Sequence, residues 1–199
     1  MKVGMIFECG PQGADLKVCK HLVYMLNPSI EISAVTLTNK RGMIADCGLA
    51  AAQLLADGCD RVIIVWDLCP PWSSVSPCRK EDRDAIMRSL SAAGAALTRV
   101  HLVCIEQELE AWLIADNRAL VSFLSRSTRS ARIPGVRKSD QISNPKRWLS
   151  KRFQENGRSQ GYRDLEHAEK IIQHLPDCSR IKRCPSFARF ALKVADIKL

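Results

Sequence analysis

The chain has 199 residues, 46% apolar and 26% charged, with 30 Lys and Arg against 21 Asp and Glu. That length and balance suit a folded domain with a hydrophobic core and exclude a disordered or fibrous chain. No apolar run approaches the roughly 18–20 residues of a membrane span, and Glu8 and Cys9 come too early for a signal-peptide core.

Residues 2–8 (KVGMIFE) form a short apolar run that ends before Gly10, Pro11 and Gly13, which predicts a strand and a turn. Residues 14–26 repeat Leu16, Cys19, Leu22, Val23 and Leu26 at helical spacing and stop at Asn27-Pro28. A β-branched strand is expected at 30–37 and an alanine-rich helix at 42–55. The run 61–68 (RVIIVWDL) is the clearest buried strand, stopped by Pro70-Pro71. A loop at 70–77 leads to a helix at 81–97 and a fourth strand at 100–105. Residues 106–116 (EQELEAWLIAD) then read as helix, with acidic groups where the helix dipole favours them. Beyond Asn117 no strand is expected. Three short helices are predicted at 145–156, 164–175 and 185–194, after a polar, basic stretch broken by Pro134-Gly135.

Strands alternating with helices imply right-handed crossovers and a mainly parallel sheet. The expected fold class is therefore α/β, a sheet of about four strands flanked by helices, with a basic helical C-terminal extension. The division expected is a core at 1–125 and an extension at 126–199 packed on it.

Charge divides the same way. Residues 1–116 carry a balance of −3, and residues 117–199 carry +12. An acidic half suits cations and a basic half suits polyanions. Candidate phosphate contacts in the basic half are Arg132, Arg137, Lys138 and Lys146, followed by Arg147, Lys151, Arg152 and Arg183. The alternative is a solvated basic face without a ligand. Nine cysteines, an odd number lying mostly in apolar stretches with no Cys-x-x-Cys pair, point to reduced thiols in a cytoplasmic protein and away from a disulfide framework or a zinc ribbon.

Ligands of open parallel sheets bind beyond the carboxyl ends of the strands. Three of the four strands here end on a carboxylate, Glu8, Asp67 and Glu106, and Glu108 and Glu110 follow closely. Glu8 and Asp67 are the candidate catalytic groups, and Glu8, Asp67, Glu106 and Glu110 the candidate metal ligands. Oxygen donors without paired histidines favour Mg²⁺ or Mn²⁺, which can bridge to phosphate and activate water. The competing readings are local: Glu8 as a helix-capping acid, Asp67 as a turn residue, Glu106 as a helix N-terminal acid. A Gly-rich phosphate loop and a nucleophile elbow are absent; serines cluster at 72–76 without one, and the four histidines stand apart.

A Glu closing the first strand and an Asp closing the third, in VIIVWD, resemble the Toprim fold of topoisomerases, bacterial primases and the overcoming-lysogenisation-defect nucleases. The order Glu8, Asp67, EAWLIAD at 110–116 and PSFARF at 185–190 resembles a family of small bacterial Toprim-like proteins, often found with ATPase partners and in defence against phage. The resemblance implies that Glu8 serves acid/base work or metal binding and that Asp67 is the first Asp of a metal-holding DxD pair. The second position of that pair is Cys69, a poor Mg²⁺ ligand, which leaves Glu106, Glu108 or Glu110 to complete the site. The implied function is Mg²⁺- or Mn²⁺-dependent cleavage of DNA or RNA in phage defence, with nucleic acid as ligand, an ATPase as candidate partner and a homo-oligomer as candidate assembly. The alternatives are a catalytically degenerate module that docks on nucleic acid or an ATPase, and a small-molecule phosphotransfer enzyme.

Overall fold

The structure, a computed structural model, describes residues 1–71 and 76–197. Four parallel strands, β1 (Lys2–Phe7), β2 (Glu31–Thr36), β3 (Arg61–Asp67) and β4 (Val100–Ile105), lie in the order β2-β1-β3-β4. This is the α/β parallel sheet expected, and it fits the Toprim-like description. The helices are α1 (Ala14–Leu26), α2 (Lys40–Ala56), α3 (Arg79–Ala92), α4 (Glu110–Ala115), α5 (Asn117–Leu124), α6 (Pro145–Glu155), α7 (Asp164–Gln173) and α8 (Pro185–Ala195). No described helix is long and apolar enough to cross a membrane. The serine-containing loop expected at 70–77 includes residues 72–75, which lie outside the described residues.

Side chains of a strand alternate between the faces of a sheet, and here each face buries its own apolar cluster. Val3, Met5, Phe7, Ile63, Val65, Val103 and Ile105 pack against α1 and the C-terminal helices. Ile6, Val62, Ile64, Trp66 and Cys104 pack against α2 and α3. The central strands β1 and β3 are covered on both faces, hence their unbroken apolar runs.

Leu149 and Phe153 of α6, Ala168 and Ile171 of α7, and Phe187, Phe190 and Val194 of α8 belong to the same cluster as β1 and β3. The basic C-terminal part is thus one wall of the main core. Its helices are sharply started: Asn144 accepts from the Arg147 N–H at 2.8 Å with Pro145 at the first helical position, and Asp116 accepts from the Arg118 N–H at 2.9 Å.

Two boundaries differ from expectation in a way that matters. The helix expected from Glu106 begins only at Glu110, because Gln107 adopts a left-handed backbone (φ 66°) that a helix cannot continue through. A further helix, α5, follows directly on Asp116, where the sequence pattern gave no assignment.

Candidate active site at the carboxyl rim

Parallel pairing brings the ends of β1 and β3 side by side, with Phe7 opposite Val65. One residue on, Glu8 turns across to Asp67, and its Oε1 accepts the Asp67 backbone N–H at 2.6 Å. The two acids expected to meet at the sheet rim therefore do meet. Asp67 presents an Oδ1 shielded from solvent that has no hydrogen-bond partner.

Four helix starts add to the group. Asp15 lies in the first turn of α1, immediately after the β1 turn. Glu110, 1% exposed, opens α4; its Oε1 accepts from the Tyr162 hydroxyl at 3.0 Å, and its Oε2 is buried without a hydrogen bond. Asp164 opens α7 and Lys146 lies in the first turn of α6. A cation in a helix's first turn opposes the helix dipole, so Lys146 is placed there by what it faces. Its Nζ lies 3.3 Å from Glu108, 3.8 Å from Asp164 and 4.0 Å from Glu110.

The electrostatics follow from this crowding. Burial pushes Glu8 up to about 7, with Asp15 and Asp82 adding to the rise against the Asp67 N–H bond and Lys40. Burial likewise takes Glu110 to about 7, with Lys146 as the main opposing influence. Asp67 rises well above its usual range through burial and then through Asp15, Glu8 and Glu110. Asp15 is raised chiefly by burial, against the pull of Lys146. Burial would lower Lys146, but Glu110, Glu108, Asp67 and Asp164 together hold it upward. Four carboxylates resist ionising together and one ammonium stands among them. Such a set gains from added positive charge.

The donors are all carboxylate oxygens, the chemistry of Mg²⁺ and Mn²⁺, and two of them, Asp67 Oδ1 and Glu110 Oε2, are buried without a hydrogen bond, the second with only the Lys146 ammonium at 4.0 Å; such oxygens are the kind a hard cation completes. As they stand, no group of three or more His, Cys, Asp or Glu among the described residues is arranged to hold a metal ion. The chemistry fits a hard cation, and the spacing is that of a cluster balanced by Lys146.

Glu106 does not belong to it. Its Oε1 pairs with Arg79 and, at 3.1 Å, with Arg189, so both basic partners compete with any metal. The left-handed turn at Gln107 separates it from Glu110, so the two do not lie four apart on one helix, as the helix expected over 106–116 would place them. Cys69, in the place of the second Asp, points its thiol at the Gln107 side-chain oxygen at 3.4 Å. Nearby, the buried Lys40 donates to the carbonyls of Leu68 and Pro70, both at 2.9 Å, and pairs with Asp82 at 3.1 Å, fixing the chain that leaves β3.

Of the expected phosphate contacts, Lys146 is part of the carboxylate site. Arg132, Arg137, Lys138, Arg147, Lys151 and Arg183 are exposed and, among the described residues, have no carboxylate partner. Arg152 is half-buried; it pairs with Glu155 at 2.7 Å and lies 5.3 Å from the Trp148 ring centre. Sequence reasoning missed Asp15, Tyr162 and Asp164. A carboxylate in the first turn after a strand–turn unit was the available signal for Asp15; Tyr162 and Asp164 gave none.

The sequence motifs EAWLIAD and PSFARF join in space. Trp112 packs edge-on to Phe187 at 5.4 Å and against Phe190 at 5.2 Å, and its Nε1 donates to Ser186 Oγ at 2.8 Å. They form the buttress that seats Glu110.

The family model of a domain of unknown function, DUF4276, matches residues 27–195, which include Asp67, Glu110, Lys146 and Tyr162. No curated protein and no solved structure matches the chain.

Proposed function

This chain belongs to the DUF4276 family, and we propose that it is a metal-dependent nuclease acting on DNA or RNA phosphodiesters. The observation that carries the reading is the meeting of Glu8, Asp15, Asp67 and Glu110 at the rim, with buried oxygens that lack a hydrogen bond on Asp67 and Glu110. Asp67 and Glu110 would hold Mg²⁺ or Mn²⁺, with Glu8 and Asp15 beside them. The bound ion would supply Lewis-acid activation of water and phosphate.

The chain's own groups do the rest. Glu8, titrating near 7, is placed to take or give a proton at neutral pH. Lys146 neutralises the acids before an ion arrives and offers its ammonium to a phosphate afterwards. Tyr162 holds Glu110 in orientation. The first turns of α1, α4, α6 and α7 meet at this rim, and their backbone N–H ends favour an approaching phosphate. The exposed arginines and lysines of the basic part would hold the flanking strand. The Toprim-like resemblance supports a role in phage defence beside an ATPase.

The test is cleavage of single- and double-stranded DNA and RNA with Mg²⁺ or Mn²⁺, using Asp67→Asn as control. The expected result is loss of activity by about 10³-fold or more with a melting temperature no lower than that of the unmodified chain. Cleavage that persists in Asp67→Asn removes the site. A second reading, a non-catalytic module that binds nucleic acid or an ATPase, is favoured by Cys69 in place of the second Asp and by the spacing of the carboxylates. Calorimetric titration with Mn²⁺ separates the two, since only the nuclease shows binding that Asp67→Asn abolishes.

A further inference from the structure

β4 is an edge strand: β3 pairs with one side of it, and among the described residues no strand covers the other. In a parallel ladder the peptide groups turn alternately inward and outward. The Leu68 N–H donates to the Ile105 carbonyl at 2.9 Å, so Ile105, Val103 and His101 face β3, and Val100, Leu102 and Cys104 face out. Arg189 reaches the Cys104 carbonyl from that outer side, at 3.4 Å.

The outer edge is the floor of a groove of about 420 Å³. Its walls are α3, on one face of the sheet, and α8, on the other. Met87, Leu97 and Leu102 give it an apolar lining; Arg79, Arg83, Arg189 and Lys193 give it charge. Glu106, the acid at its upper end, is held by Arg79 and Arg189. Among the described residues no carboxylate pairs with Arg83 or Lys193.

We propose that this groove is a docking site for an acidic, extended segment of a partner protein, which adds to β4 as a fifth strand. The shape suits a strand, since a slot between helices on opposite faces of a sheet would cover both faces of an added strand. The outward peptide groups of β4 supply the hydrogen bonds, the apolar lining takes alternate side chains, and the unpaired cations choose an acidic sequence. Pairing of β4 with a second copy of this chain would bring the two basic edges together, an arrangement like charge opposes. Single-stranded nucleic acid would want a row of exposed aromatic faces, but of the two rings in the lining Trp66 is 2% exposed, which leaves the His101 imidazole alone.

The experiment uses the full chain and a fluorescent peptide alternating Glu and Val, read by anisotropy. Two versions of the peptide carry N-methyl groups on one or the other alternate set of amides. The proposal expects one version to lose binding and the other to keep it. It also expects slowed hydrogen exchange at the Leu102 and Cys104 amides, and about tenfold or greater weakening in Arg83→Glu/Lys193→Glu. Asp67→Asn is expected to bind the peptide as the unmodified chain does, which keeps this outcome separate from that of the nuclease reading. Failure of the peptide to bind, equal binding of both methylated versions, or unprotected Leu102 and Cys104 overturns the proposal. So does tighter binding of an oligodeoxythymidylate that competes with the peptide, or sedimentation showing the edge occupied by a second copy.

Discussion

Glu110 is held neutral-leaning by burial while its fold keeps it beside Lys146, and this sets a sign for the pH dependence of stability. The ordinary glutamate value is 4.5, and those of Glu8 and Glu110 rise to about 7 in the folded chain. Between these values the folded state binds more protons than the unfolded one. Their contribution to stability is therefore full below 4.5 and is lost as pH rises through about 7. Thermal melts from pH 5 to 8 should show Tm declining with pH. If the cluster takes a divalent ion, Mn²⁺ should restore more of that loss at the alkaline end, where the carboxylates are ionised. Glu110→Gln keeps an acceptor for Tyr162 and removes one charge. It should raise Tm at pH 8 by about 2–4 °C, roughly 1 kcal/mol in a chain of this size, while reducing metal-dependent cleavage. A Tm that falls at pH 8 would show that the carboxylate is paired more strongly than it is burdened.

The packing of α2 on α3 depends on the absence of one side chain. A Cβ on Gly48 would come within 2.1 Å of the Ser89 carbonyl oxygen, and the Gly48 N–H donates to Ser89 Oγ at 3.1 Å. Gly48→Ala must push the helices apart, at a cost of about 1–3 kcal/mol, measurable by chemical denaturation; a neutral outcome would mean the pair slides freely. At this scale the sequence was readable where one interaction dominates. Buried strands announce themselves as unbroken apolar runs, so β1, β3 and β4 and the acids that close β1 and β3 were legible. The Glu106–Glu110 relation was not, since helix-forming residues at 106–109 are overridden by the backbone at Gln107. Tyr162 and Asp164 were illegible for another reason: they reach Glu110 and Lys146 only because α6 and α7 close on the sheet, a tertiary fact without a local pattern.

Over the whole molecule, the +12 balance of residues 117–199 suggested a polyanion-collecting half packed on the core, and the fold gives this part a structural share as well. Phe153, Phe187 and Phe190 complete the cluster that includes Val3, Met5 and Ile63, and Lys146 and Tyr162 complete the rim. A fragment ending at residue 125 should therefore leave this cluster open. The expected result is aggregation or a molten chain in circular dichroism and exchange measurements; a cooperative melt from the fragment would show the extension to be dispensable. Under the proposed function, joining the exposed basic surface to the acid cluster in one core would also fix the distance between them, so that a nucleic-acid strand held by one would be presented to the other.

Glu8 and Asp67 grow from the two strands that have neighbours on both sides, β1 and β3. Interior strands release their amide protons chiefly when a protein opens globally, whereas edge strands and loops fray far more often. The anchors of the acids thus sit in the last part of this molecule to come undone. On slow heating, loss of activity should coincide with the cooperative melt and not precede it.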